Sequence, residues 1–154
     1  MGLYPQHYEQ ETISPSEFAG ETLRIGYRGG IFFDGTDLVR NGLHDMTAST
    51  GVEAWEQWCQ KCLQTERYCS ILYPTDFGIQ TEEAFHAATR ALAESILRRE
   101  IEEALTADPY GRTSHVEQIQ FQWIDSDSLS VRVKAVGIEN ATIDLTTSLG
   151  RSGT

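Results

Sequence analysis

From Thr50 to Gln64 apolar side chains return every three or four places. Val52, Trp55, Cys59 and Cys62 or Leu63 share one face, and Trp58 and Cys62 widen it. Glu53, Glu56, Gln60 and Lys61 lie elsewhere around the wheel. This spacing predicts an amphipathic helix. Thr50 with Glu53 three places on forms a capping-box pattern that sets its start. A second helical region is expected over about 81–107, opened by Thr81-Glu82-Glu83 and stopped by Asp108-Pro109. Its apolar stripe changes phase: Phe85, Ala88, Leu92 and Ile96 share one face, and Ala93, Leu97, Ile101 and Ala104 another. Such a helix is either buried on two sides or broken near its middle. Glu94–Arg98 and Arg99–Glu103 fall at i,i+4, where surface pairs contribute about 0.2–0.5 kcal/mol each.

Beyond Asp108 the period changes to two. Ile119, Phe121 and Trp123 alternate with glutamines, and Asp125-Ser126-Asp127 turns the chain. Leu129, Val131 and Val133 then alternate with Ser130, Arg132 and Lys134. Gly137 and Glu139-Asn140 turn it again before Ala141–Leu149, with Ile143 and Leu145 on one side. An antiparallel meander with one wet face is expected. Near the N-terminus, Thr22-Leu23-Arg24-Ile25 and Ile31-Phe32-Phe33 suggest one or two short strands, with Asp34-Gly35 as a turn. The expected fold class is therefore α+β, with two main helical segments packed on the meander.

Residues 1–20 carry Pro5 and Pro15, three acidic residues and no Lys or Arg. That composition predicts an extended arm, followed by a single domain over 21–154. A chain of 154 residues buries about two thirds of its unfolded surface. No apolar run approaches the roughly 18 residues of a membrane helix, and Met1 to His7 has neither the basic start nor the apolar core of a signal peptide. The expectation is a cytoplasmic protein without membrane contact. Twelve basic against 23 acidic residues argue against nucleic acid, which needs clustered Lys and Arg. They fit docking onto basic protein surfaces.

Little points to catalysis or cofactors. Cys59-x-x-Cys62 lies mid-helix on the apolar side, and Cys69 has no matching second pair, so buried thiols are expected rather than a zinc or redox site. His7, His44, His86 and His115 are scattered. Gly26-x-x-Gly29-Gly30 precedes a strand and is no phosphate loop. Glu66 and Asp76 could be posed as the acid and nucleophile of a wall-cutting glycosidase, but Arg67 beside Glu66 works against a proton-holding acid. No catalytic residue, metal or cofactor is assigned.

The more telling stretch is Thr65-Glu66-Arg67-Tyr68. It sits where the first helix runs out, ahead of a short apolar strand expected at Ile71-Leu72-Tyr73 and an Asp76-Phe77-Gly78 turn. Arg67 carries a planar fork suited to carboxylates or carbonyls, and the helix dipole favours it there. Gly78 permits close backbone approach. Thr65, Glu66, Arg67, Tyr68, Asp76, Phe77 and Gly78 form a candidate partner-binding set.

This run, with Glu53-Ala54-Trp55, Trp58, Leu72-Tyr73, Glu100–Leu105, Asp108-Pro109 and Phe121-Gln122-Trp123, resembles the contractile injection system sheath initiators of phage-type baseplates. The similarity spans about 51–136. Two departures stand out. Thr65-Glu66-Arg67 replaces the Glu-Pro-Arg of some members, and Tyr110-Gly111 precedes Arg112 where others place Arg sooner after Asp-Pro. The resemblance implies a structural protein, not an enzyme, assembled in the bacterial cytoplasm and resident in a baseplate. It implies a ring of copies around the tail tube protein, contacting baseplate wedge proteins through the Glu-Arg region and templating the first ring of sheath subunits. Strand addition is expected at Ala141, Thr142, Ile143, Asp144, Leu145, Thr146 and Thr147. Removing everything after Asn140 is then expected to abolish sheath assembly and spare baseplate incorporation. The competing readings are a hub or wedge adaptor that never touches sheath, and the glycosidase.

Overall fold

The computed structural model describes residues 30–32 and 37–151. The proposed N-terminal arm, the Thr22–Ile25 strand and the Asp34-Gly35 turn lie outside them. In order come β1 (Gly30–Ile31), β2 (Ala48–Ser49), α1 (Gly51–Gln64), α2 (Glu82–Phe85), α3 (Arg90–Thr106), β3 (Thr113–Trp123), β4 (Ser128–Gly137) and β5 (Thr142–Gly150). β1 and β2 pair antiparallel. β3, β4 and β5 form the expected antiparallel meander, with β4 in the centre. The fold class is α+β.

Helix α1 starts as its sequence requires. Thr50 Oγ1 accepts from the Glu53 amide at 3.3 Å, and Glu53 accepts from the Thr50 amide at 2.6 Å. Together these satisfy two N–H groups that a helix start leaves bare. Its buried face is Trp55, Cys59, Cys62 and Leu63, whereas Val52 is substantially exposed. The second helical region is broken at 86–89, near its start rather than its middle, and both apolar stripes continue on the longer helix. α2 ends at Phe85, and Thr89 caps a new helix by accepting from the Leu92 amide at 3.2 Å. α3 buries Ala93, Leu97, Ile101, Ala104 and Leu105, while Leu92 of the other stripe faces solvent.

The helices cover one face of the sheet. Leu129, Val131, Val133, Ala135, Ile143 and Leu145 are buried beneath them, each fully buried aliphatic side chain contributing about 1.5–3 kcal/mol. Trp55 closes one end, donating from Nε1 to Thr113 Oγ1 at 2.9 Å. The opposite face carries Gln118, Gln120 and Gln122 on β3 and the exposed Thr142, Asp144, Thr146 and Ser148 on β5.

The charge pairs differ from expectation in one case. Arg99 and Glu103 approach at 4.0 Å, but Glu94 instead accepts from Trp123 Nε1 at 2.8 Å. Arg98 reaches the Ile119 carbonyl and stacks over Phe121. Partly buried aromatics on β3 supply stronger partners for these side chains than a solvated ion pair does.

Candidate functional site

After α1 ends, a parallel bridge joins Glu66 to Ile79. The Arg67 amide donates to the Ile79 carbonyl, and the Ile79 amide to the Thr65 carbonyl, both at 3.0 Å. Residues 67–78 between them form an Ω-shaped loop whose ends are pinned together. Within it Ile71-Leu72-Tyr73 is not the expected strand. These residues lie in turns, with Ile71 and Leu72 almost fully exposed. The apolar run has no sheet neighbour there, because Ser70 turns the chain by binding the Leu72 and Tyr73 amides.

The predicted binding set divides by environment. Arg67 is partly buried: Nε donates to the Gly78 carbonyl at 3.1 Å, and a terminal nitrogen pairs with buried Glu100 at 3.4 Å. Phe77 is buried, stacked on Tyr73 at 4.8 Å with Trp58 edge-on at 5.8 Å. Gly78 holds φ of +91°, and its amide approaches Cys62 Sγ at 3.4 Å. These three fasten the loop. Tyr68 and Asp76 face solvent, Tyr68 with a left-handed φ of 67°. Glu66 is exposed as well, and its two oxygens accept from the Thr81 amide at 3.4 Å and the Thr81 hydroxyl at 3.1 Å.

Beside this junction runs β5. The Asp127 carbonyl accepts from the Arg151 amide at 2.9 Å, and the Ala141 carbonyl accepts from the Gly137 amide at 2.7 Å. Both bonds fall in the β4–β5 register, which pairs Leu129 with Leu149 and Val133 with Leu145. By antiparallel alternation Ile143, Leu145, Thr147 and Leu149 bond to β4. The N–H and C=O groups of Thr142, Asp144, Thr146 and Ser148 therefore point away from the sheet. Among the described residues no strand pairs with that edge, and Gln60 donates to its Thr146 carbonyl at 3.2 Å. The opposite edge, β3, is blunted by two register shifts and by Arg98 on the Ile119 carbonyl. The structure brings the two candidate sets together. Thr65 and Glu66 line one groove of about 700 Å³ with Thr146, Thr147 and Ser148.

Cys59 and Cys62 are buried, as expected of small core residues. Burial pushes both thiols up, Cys62 to about 11, with the Gly78 amide and Arg67 acting in the opposite sense. Thiolate chemistry is suppressed at both. No group of three or more His, Cys, Asp or Glu residues suited to a metal occurs among the described residues.

Sequence reasoning missed a buried pair. Arg112 Nε and Nη2 donate to Asp108 Oδ2 and Oδ1 at 2.7 and 3.0 Å, and the Arg112 amide adds a third bond at 3.0 Å. The guanidinium lies over Trp58 and Tyr110. The i,i+4 spacing of Asp108 and Arg112 was the available signal, hidden because Asp108-Pro109 reads first as a helix stop.

The described residues form a small α+β domain with a fastened surface loop and a sheet edge at β5 that no other described strand pairs. The model of the contractile injection system sheath initiator family matches residues 22–140, well over half of the chain, and the protein belongs to that family. A sheath-related structural role in a contractile injection system follows, in a phage or tail-like particle. No curated protein matches the chain. Among the described residues no helix is long and apolar enough to cross a membrane.

Proposed function

We propose that the protein joins the baseplate to the sheath and templates the first sheath ring by accepting a strand of a sheath subunit along β5. The observation that carries this reading is the outward row of main-chain groups at Thr142, Asp144, Thr146 and Ser148. Main-chain pairing supplies affinity along such an edge, and no proline interrupts it. Ala141 to Thr147 form the sheath side. The side chains of Ile143, Leu145 and Thr147 stay in the core, so their contribution to the partner is through backbone placement.

The baseplate side is the Ω loop. Thr65, Glu66, Arg67, Phe77 and Gly78 hold its base, while Tyr68 and Asp76, with the exposed Ile71 and Leu72 between them, are its contact surface. Exposed apolar side chains on a fastened loop suit a permanent protein contact, here the wedge proteins. Copies of the protein stand in a ring around the tail tube. A reconstruction of intact particles at side-chain resolution tests the whole reading. The expected result is a sheath strand running beside residues 142–150; sheath density contacting only the helices would overturn it.

A further inference from the structure

We propose that the strand added to β5 presents a lysine or arginine to Glu66, which thereby selects the incoming segment. This deepens the strand-addition reading and rests on it. The groove that flanks the outer edge of β5 at Thr146 and Ser148 is the same one that Glu66 lines. A strand occupying the edge therefore passes the Glu66 carboxylate. That carboxylate is held from within: Thr81 donates to both of its oxygens, through its amide and its hydroxyl. Each oxygen keeps a free lone pair.

Among the described residues its charge has no counter-ion. No Lys, Arg or His among the described residues comes within ion-pair distance of Glu66. The adjacent Arg67 is turned away onto Gly78 and Glu100. The remaining polar lining among the described residues comes from Gln64, Thr65, Thr81 and the β5 hydroxyls, none of them a cation. A fixed, uncompensated carboxylate beside an open edge favours a cationic side chain on the partner and penalises an acidic one. The net charge of −11 adds a longer-range attraction of the same sign.

The test uses the full chain and the sheath subunit of the same particle, with affinity measured by calorimetry at low and high salt. Glu66→Gln keeps the shape and an acceptor for the Thr81 hydroxyl but removes the charge. It is expected to weaken binding about tenfold at low salt, the loss shrinking at high salt. Glu102→Gln makes the same change of net charge on an exposed face of α3 and is expected to bind like the parent. Ser148→Pro removes an outward N–H without touching the β4 ladder and is expected to abolish binding. Loss in Ser148→Pro with full affinity in Glu66→Gln leaves strand addition standing and overturns the ion pair. An equal loss in Glu66→Gln and Glu102→Gln also overturns it, in favour of general charge attraction. Full affinity in Ser148→Pro, with its fold verified by circular dichroism, removes the strand-addition reading itself.

Discussion

A methyl group on Gly78 would lie 2.6 Å from the Thr65 carbonyl oxygen, and φ there is +91°, where side chains are strained. The obstacle is backbone already engaged with the Ile79 amide, so it cannot swing aside. Gly78→Ala is expected to cost about 2–3 kcal/mol, read as a lower urea midpoint with an unchanged slope. The need for a glycine was legible, since Asp76-Phe77-Gly78 closes a turn; what it approaches was not. Arg67 is the opposite case. Its fork reads as an outward-facing binder, because nothing in the sequence marks a distant carboxylate as its partner. The partner is Glu100 on α3, which also accepts the Gln80 amide. Only the tertiary fold turns a surface charge into a partly buried fastening.

Among the elements, amphipathic period and caps carried most of the information. α1 and all three meander strands follow from them, since each element buries one face against another, whereas the break before α3 falls nearer the start of its region than the stripe suggests. The loop at 67–78 did not, because Ile71-Leu72-Tyr73 has the composition of a strand but no neighbouring strand to bond. A short apolar run has no preference strong enough to override that. The connection from α3 to β3 was legible as a stop and illegible as a joint. Asp108 binds the Tyr110 and Arg112 amides, and the Arg112 carbonyl accepts from Ile138, so this pair ties α3, β3 and the turn after β4. Arg112→Ala leaves a buried carboxylate with no cation and is expected to cost about 3–5 kcal/mol. Arg112→Lys restores charge without the two-pronged geometry and is expected to recover only part of the loss. Thermal or chemical denaturation of the three proteins ranks them; equal stability of parent and Arg112→Lys would show that charge alone matters.

On the scale of the molecule, the proposed sheath edge and the Ω loop differ in how separable they are from the fold. Removing residues after Asn140 cannot serve as a functional deletion, because Ile143, Leu145 and Leu149 belong to the core. The expectation that baseplate incorporation survives that deletion therefore gives way to loss of the fold. The loop allows a cleaner cut. Tyr68 is 64% exposed and sits at a φ of 67°, a left-handed conformation that glycine adopts without strain and tyrosine does not. An exposed aromatic side chain gains little in the free protein from such a position, which supports the proposed baseplate contact. Tyr68→Gly is accordingly expected to leave the isolated protein as stable or up to about 1 kcal/mol more stable. The same change is expected to reduce the copies recovered in purified particles, because the ring of the loop contact has gone. Sheath binding in solution is expected to stay at the parent value, since β5 is untouched. Normal particle occupancy for Tyr68→Gly would move the baseplate contact off this loop and leave the sheath edge as the protein's one docking surface of defined geometry.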